Sequence, residues 1–453
     1  MRGPFDHIPR DEKPPAAWTP LLGAAACAFG AALALRRLAY RCGVLSSRCV
    51  SVPVMSVGNL RVGGGGKTPF TRLLLGLLEA RGLKAAVVSR GYGRQKTRDM
   101  SPVIVARGDG PLVDVATAGD EPYLMASTSR AFVAVDADRV AAAQAMVELG
   151  VDVILLDDGF QNWRLARDLD IVLLPASSME ASPESRHASI SGHALADADA
   201  DADADDVARS RSASASGAAS GPASGSASGA ASGSRSASPS ASGVWAPAPS
   251  DHLLPLGSLR EPIQALERAD LIVVNHMPAR PHFDQIELPA SFSSPASAKS
   301  IPRIDVVTAP VGFAVVGPPD PSMSPRRTHA LSQIEGRRVA LFSAIARPGA
   351  FETMMTSLGA TVVLHRALPD HAWPSCEILE AFKREGRAAG ATHFVTTEKD
   401  AVKFPEAFLR AQRNDLAACA RGNFWCLEIE QRVVSGLARL NAAIDRALEA
   451  ATP

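Results

Sequence analysis

Four consecutive glycines, Gly63 to Gly66, run directly into Lys67 and Thr68. Residues of these types in this order can hold a chain of phosphates. Glycines let successive backbone N–H groups turn onto phosphate oxygens with no side chain between. A lysine reaches the β- and γ-phosphates, and a threonine hydroxyl can ligate Mg²⁺. Gly63, Gly64, Gly65, Gly66, Lys67 and Thr68 are therefore the candidate phosphate and metal ligands. A strict phosphate-loop pattern has glycine six residues before the lysine, where this chain has Arg61; the loop is nearer the variant in which a Gly-Gly pair precedes x-Gly-Lys-Thr. A flexible glycine linker would need neither an apolar strand before it nor a helix after it, and both are expected here.

Further groups that could do chemistry sit at similar places. Asp157 and Asp158 end the apolar run Val151 to Leu156. Alone, Asp-Asp-Gly is an ordinary turn; behind a phosphate loop it is where a nucleotide site needs its metal carboxylate. Gly119-Asp120-Glu121-Pro122 opens a helix, and acidic residues there could simply answer the helix dipole. The functional alternative has Asp120 take a proton from an attacking hydroxyl while Glu121 assists the metal. His371, in Leu-Pro-Asp-His-Ala-Trp, is one of 10 histidines. By itself it reads as a surface residue; opposite a carboxylate it would complete a general base. Ser89-Arg90-Gly-Tyr92-Gly, Leu259-Arg260-Glu261-Pro and Thr396-Thr-Glu-Lys399-Asp400 also lie at strand ends or turns.

The elements that must position these groups follow from hydrophobic periodicity. Strands are expected at Val52–Leu60, Ala85–Arg90, Val103–Arg107, Ala131–Val135, Val151–Asp157 and Asp170–Leu174, with helices at Pro69–Arg81, Glu121–Ser129 and Asp138–Leu149. Strands apolar on both faces and separated by helices imply a mostly parallel sheet flanked by helices, with ligands at the carboxyl ends of its strands. A strand at Asp270–Asn275 continues this core across 251–330, although 278–330 is Pro- and Ser-rich and gives no clear period. A second, smaller α/β lobe is expected over 331–453. Its strands are Val339–Ala344, Thr361–Ala367, His393–Thr397 and Phe424–Ile429, and its helices Pro348–Leu358, Pro374–Ala388 and Val433–Leu448. A cleft between two lobes is a usual place for a substrate.

Composition narrows the rest. The chain has 453 residues, with 47 basic against 47 acidic, so no global field favours nucleic acid as a partner. Six scattered cysteines show neither a disulfide framework nor zinc spacing. Within 1–50, a polar, Pro-rich start precedes the uncharged apolar run Leu21 to Leu35, which is followed by Arg36, Arg37 and Arg41. The run is short for a span of roughly 20 residues, and it ends in arginines where a signal peptide would need a cleavage site. An apolar helix whose trailing arginines meet anionic headgroups is the preferred reading over a core helix. Residues 176–250 carry Asp-Ala and Ser-Ala-Gly repeats, expected to form a disordered insertion in the core 51–175.

Seven ordered motifs resemble one family. They are Ser-Val-Gly-Asn-Leu-x-Val-Gly-Gly-x-Gly-Lys-Thr-Pro (56–69), Ser-Arg-Gly-Tyr-Gly (89–93), Gly-Asp-Glu-Pro (119–122), Leu-Leu-Asp-Asp-Gly-Phe-Gln (155–161), Arg-Asp-Leu-Asp-Ile-Val (167–172), Leu-Arg-Glu-Pro (259–262) and Thr-Glu-Lys-Asp (397–400). The sequence is similar to the tetraacyldisaccharide 4′-kinases of Gram-negative bacteria. The resemblance implies an enzyme on the cytoplasmic face of the inner membrane. Such an enzyme moves the γ-phosphate of ATP, with Mg²⁺, to the 4′-hydroxyl of an acylated glucosamine disaccharide on the way to lipid A. It implies an Asp120–His371 pair that activates the hydroxyl, Asp157 and Asp158 at the metal, and Arg260 and Glu261 beside nucleotide and metal; Asn59, Arg90 and Tyr92 are the candidate acceptor-binding residues. The family usually has His where this chain has Asn162 and often a second His where it has Ala372. A regulatory ATPase with the same phosphate loop is the alternative. A non-catalytic lipid-binding protein is opposed by the intact Lys67, Thr68 and Asp157.

Overall fold

The computed structural model describes residues 18–63, 65–94, 102–176, 252–276, 301–317, 328–415 and 424–450, with short pieces at 243–244 and 292–293. Gly64, Cys419, the polar start at 1–16 and nearly all of the expected insertion lie outside the described residues. The described residues within 18–176 and 243–450 form one compact unit.

The nucleotide half is built as the periodicity predicts. Strands β1 (Val54–Asn59), β2 (Ala85–Ser89), β4 (Phe132–Val135), β5 (Val153–Asp157), β6 (Leu169–Pro175) and β7 (Leu271–His276) lie side by side in the order β7-β6-β1-β5-β2-β4, all parallel. Strand β3 (Val103–Arg107) closes this edge antiparallel to β4. Helix α2 (Lys67–Glu79) buries Phe70, Leu74 and Leu78 on one face with Thr71 and Leu75 beside them. That is the stripe expected when apolar side chains recur every three to four residues. Burying each large side chain contributes about 1.5–3 kcal/mol, so this helix is anchored chiefly by packing on the sheet. Helices α3 (Val115–Ala118), α4 (Asp120–Thr128) and α5 (Arg139–Glu148) follow; Asp114 caps α3 through the Thr117 N–H and Asp138 caps α5 through the Val140 N–H.

The second half carries the expected second α/β set, and its strands continue the same sheet. Two long strands form the seam: β8 (Arg303–Val315) and β12 (Phe424–Ser435) pair antiparallel along their lengths. The start of β8 pairs in parallel with β7, and the start of β12 pairs in parallel with β11 (His393–Thr397). Beyond β11 lie β9 (Arg338–Ser343) and β10 (Thr361–Ala367), so the order ends β8-β12-β11-β9-β10. Helices α6 (Pro348–Ser357), α7 (Cys376–Ala388), α8 (Glu398–Ala401), α9 (Glu406–Asp415) and α10 (Leu437–Ala450) belong to this half.

The seam has a functional consequence. Strands of the nucleotide half run with β8 and those of the second half run with β12, and these two run in opposite directions. Pro310 of β8 sits opposite Ile429 of β12 beside a register shift. Both parallel sets therefore run toward this one place, and their carboxyl ends, where ligands bind in such sheets, face a common cleft.

Both seam strands depart from the sequence expectations. The segment 278–330 contains the 13-residue strand β8, whose alternation is interrupted by Pro310 and Gly312 at the bulge. The strand expected at Phe424–Ile429 runs on to Ser435, and the last helix starts at Leu437 where Val433 was expected. Sheet pairing with β8 outweighs the helical period of Val433 and Val434. The N-terminal run is helix α1 (Thr19–Arg41), of 23 residues, with only Leu22 and Ala26 buried along it. No disulfide joins the five described cysteines.

Candidate active site

Gly66 caps α2 with φ of +82°, a left-handed conformation that glycine adopts at no steric cost. A Cβ there would also come within 2.3 Å of the Asn275 amide. The turn delivers Lys67 and Thr68 into a cavity of about 1360 Å³ between the facing strand ends, lined from both halves of the sheet. The Lys67 Nζ is 3.4 Å from Asp158 Oδ1, and Arg260 donates to Asp158 Oδ2 at 2.6 Å. Burial would raise the Asp158 pKa, but the charges and hydrogen bonds of Lys67 and Arg260 outweigh it and hold the carboxyl below its ordinary range. Asp158 takes a positive φ of 54°, a strained placement that commonly marks functional positions.

Its neighbour Asp157 has the opposite environment. Burial first, then the nearby Glu121 and Asp158 carboxylates, push its pKa up to about 7. Its Oδ2 accepts from Ser89 Oγ at 3.4 Å, and its buried Oδ1 has no hydrogen-bond partner among the described residues. A crowded carboxylate with an orphaned oxygen fits a divalent cation. Among the described residues no three His, Cys, Asp or Glu form a ready metal cage. That suits Mg²⁺, which keeps waters and phosphate oxygens around one or two carboxylates. Asp157 and Asp158, with Thr68 and Glu121 beside the same cavity, are the residues that would hold it.

Across the cavity the two halves join. Gly119, with φ of +91° and packed within 3.2 Å of the Tyr92 carbonyl where a Cβ would sit, turns the chain so that Asp120 starts α4. The buried Asp120 Oδ2 is 2.8 Å from His371 Nδ1. His371 follows β10 in the second half and also has a positive φ, of 60°. Lys399, at the start of α8, lies 3.2 Å from His371 Nε2 and 2.8 Å from Glu121 Oε1. An ammonium can only donate, so Nε2 is the acceptor and the imidazole proton sits on Nδ1, donated to Asp120. Burial would raise the Asp120 pKa, but the His371 bond and the Lys399 and Lys403 charges hold it below the ordinary carboxylate range. Burial would lower that of Lys399, yet Glu121, Asp120 and Asp370 raise it, so this lysine stays cationic.

Arg90 lines the same cavity, and the 65% exposed Tyr92 ring lies 5.0 Å from the His371 ring. Two of the expected residues face elsewhere. Glu261 is buried and spends its carboxylate on Arg268 at 2.8 Å, and it does not line the cavity. Asn59 lies behind the loop, donating to the Gly63 carbonyl at 3.4 Å. The sequence reading singled out Glu398 and Lys399 as part of a strand-end motif, but put no weight on Arg72 or Arg268. Arg72 of α2 donates from its single Nη1 nitrogen to both carboxylate oxygens of Glu398, at 3.1 and 3.0 Å. Arg268 lies 4.4 Å over both Phe160 and Trp163. The Thr-Glu-Lys-Asp motif pointed to Glu398 and Lys399; Arg72 is one polar residue on a helix and gives no signal of its own.

A profile of the family described as tetraacyldisaccharide-1-P 4′-kinase, LpxK, matches residues 18–182 and 245–449. The chain belongs to this family. The tetraacyldisaccharide 4′-kinase of Anaeromyxobacter dehalogenans (strain 2CP-1 / ATCC BAA-258) is 33% identical, over 95% of this chain and 91% of that protein. The protein of the same name from Geobacter metallireducens is 31% identical, over 84% and 88%. A crystal structure of the "apo" form of LpxK from Aquifex aeolicus in complex with ATP shares the fold, with a TM-score of 0.57, 23% identity and coverage of 96% and 99%. Asn162 accepts from the Arg164 N–H at 3.1 Å, and Ala372 lines the cavity. His371 is thereby the single histidine among the described residues that line it.

Proposed function

We infer that this chain is the kinase its family name describes, transferring the γ-phosphate of ATP to the 4′-hydroxyl of tetraacyldisaccharide 1-phosphate. The observation that carries this is the 2.8 Å contact between Asp120 and His371, made across the cavity that Lys67 and Thr68 enter from the phosphate loop. A nucleotide in the glycine loop would have its terminal phosphate neutralised by Lys67, with Arg260 held close through Asp158. Bound Mg²⁺, on Asp157, Asp158, Thr68 and Glu121, would draw charge from the phosphates. The Asp120–His371 pair accepts the proton of the sugar hydroxyl, and Arg90 and Tyr92 approach the sugar from the same side. Two features in the geometry speak against roles for Glu261 at the metal and Asn59 at the acceptor: the Arg268 pair and the position behind the loop.

We further propose that residues 51–175 with 251–330 act as the nucleotide lobe and 331–453 as the lobe that brings His371. The protein would work at the cytoplasmic face of the inner membrane. Helix α1 is long and apolar enough, by length and composition, to cross a membrane. Trp18, Leu21, Leu35 and Leu38 are exposed on it, and it ends in Arg36, Arg37 and Arg41. The test is radiolabelled ATP with tetraacyldisaccharide 1-phosphate in detergent micelles. Label is expected to move to the glycolipid; release as free phosphate, with none on lipid, would favour a regulatory ATPase.

A further inference from the structure

Behind the phosphate loop, three buried polar residues from three strands meet: Asn275 at the end of β7, Thr308 on β8 and Gln431 on β12. Thr308 Oγ1 donates to Asn275 Oδ1 at 2.9 Å and accepts from Gln431 Nε2 at 3.2 Å. With one hydroxyl between them, both amides are oriented with nitrogen toward the loop. Asn275 Nδ2 donates to the Gly65 carbonyl at 3.4 Å and Gln431 Nε2 to the Gly66 carbonyl at 3.2 Å. The Gly66 carbonyl already accepts the helical bond from Phe70 N at 3.1 Å, so it does not need Gln431 to be satisfied. Gln431 Oε1, in turn, has no partner among the described residues. A buried amide that leaves its oxygen unpaired is costly to keep, and its donor is the end in use.

We propose that Asn275, Thr308 and Gln431 are positioning residues for nucleotide binding, setting the peptide planes of the phosphate loop. In a planar trans peptide the C=O and the following N–H point in opposite directions. Drawing the Gly65 and Gly66 carbonyls back onto the strands turns the Gly66 and Lys67 N–H groups outward, to the side where phosphates would lie. The residues act through the loop and touch no substrate. Because Thr308 and Gln431 are cross-strand partners on the seam, the cradle is also tied to the strands that carry the second half.

The proposal rests on the kinase reading, and its test separates the two. Binding of Mg-ATP to the full chain in detergent is measured by calorimetry, with KM for ATP, KM for the glycolipid and thermal midpoint. Thr308→Val and Gln431→Met, which keep shape and lose the hydrogen bonds, are each expected to weaken ATP about tenfold. The glycolipid KM should stay unchanged and the midpoint within about 2 °C. Thr308→Ser, which keeps the hydroxyl, is expected to retain wild-type ATP affinity. Unchanged ATP affinity in both isosteric variants overturns the proposal, as does equal loss of affinity for both substrates with a lowered midpoint. A wild-type chain that binds no ATP removes the kinase reading itself, and the proposal with it.

Discussion

Burial raises the pKa of both Asp120 and Asp157, yet their neighbours give them opposite net outcomes. Asp120 faces an imidazole and two lysines, so it stays ionised; Asp157 faces carboxylates, so it holds its proton to about pH 7. For Asp120→Asn we expect turnover to fall by about 10² to 10⁴, with KM for ATP changed by less than about threefold. Because the pair acts as a unit, adding His371→Ala should cost little more; steady-state kinetics of the single and double variants measure both effects. Asp157 has a different signature. Its ordinary value is 3.8 and its folded value about 7, so between these the folded chain binds more protons than the unfolded one. Stability of the metal-free protein should therefore fall as pH rises through this window. Asp157→Asn should recover on the order of 2 kcal/mol at pH 8, read by denaturant unfolding at pH 5 and pH 8, and should lose any stabilisation that Mg-ATP confers.

Helix α2 is held at its start and along its flank by unlike means. Its N-terminus rests on a left-handed glycine, and its flank is tied to the second half by Arg72 and Glu398, whose Oε2 also accepts from the Ile429 N–H at 3.3 Å. Gly66→Ala would meet the Asn275 amide and an unfavourable φ together. The expected result is a loss of Mg-ATP binding of at least about 30-fold while far-UV circular dichroism is retained. Glu398→Gln removes one charge of a largely buried pair and leaves Arg72 uncompensated. That should cost about 3 kcal/mol in denaturant unfolding. A near-neutral effect would mean the pair is solvated in solution. The expected helix began at Pro69, two residues inside the observed start, because the capping glycine's conformation leaves no mark on the hydrophobic period.

At the scale of the whole molecule, one antiparallel seam turns two parallel sets of strands toward each other, and every group assigned to chemistry lies on or near their carboxyl ends. Helix α1 reaches this arrangement at Arg36, which lines the cavity and donates to the Gln161 carbonyl at 3.1 Å, and it exposes apolar side chains along most of its length. Replacing Leu21, Leu35 and Leu38 together by serine should reduce binding to anionic phospholipid vesicles by at least tenfold, in line with the apolar area removed from contact. Mg-ATP affinity should be unchanged, as read by vesicle flotation alongside calorimetry. Equal flotation of the variant would show that the helix does not carry the association.

Much of this was legible along the chain. The phosphate loop, the strand ending in Asp157 and the helix opening at Asp120 are local matters, set by residue type, spacing and periodicity, and they emerged close to where they were expected. The seam was not, because Pro310 and Gly312 break the pattern of β8, and Val433 and Val434 fit a helix until a partner strand claims them. Nor could spacing tell that Glu261 and Asn59 turn to Arg268 and to the loop. The 2.8 Å meeting of Asp120 with His371 joins residues 251 positions apart. Long-range register, which no local propensity encodes, brought those two side chains together.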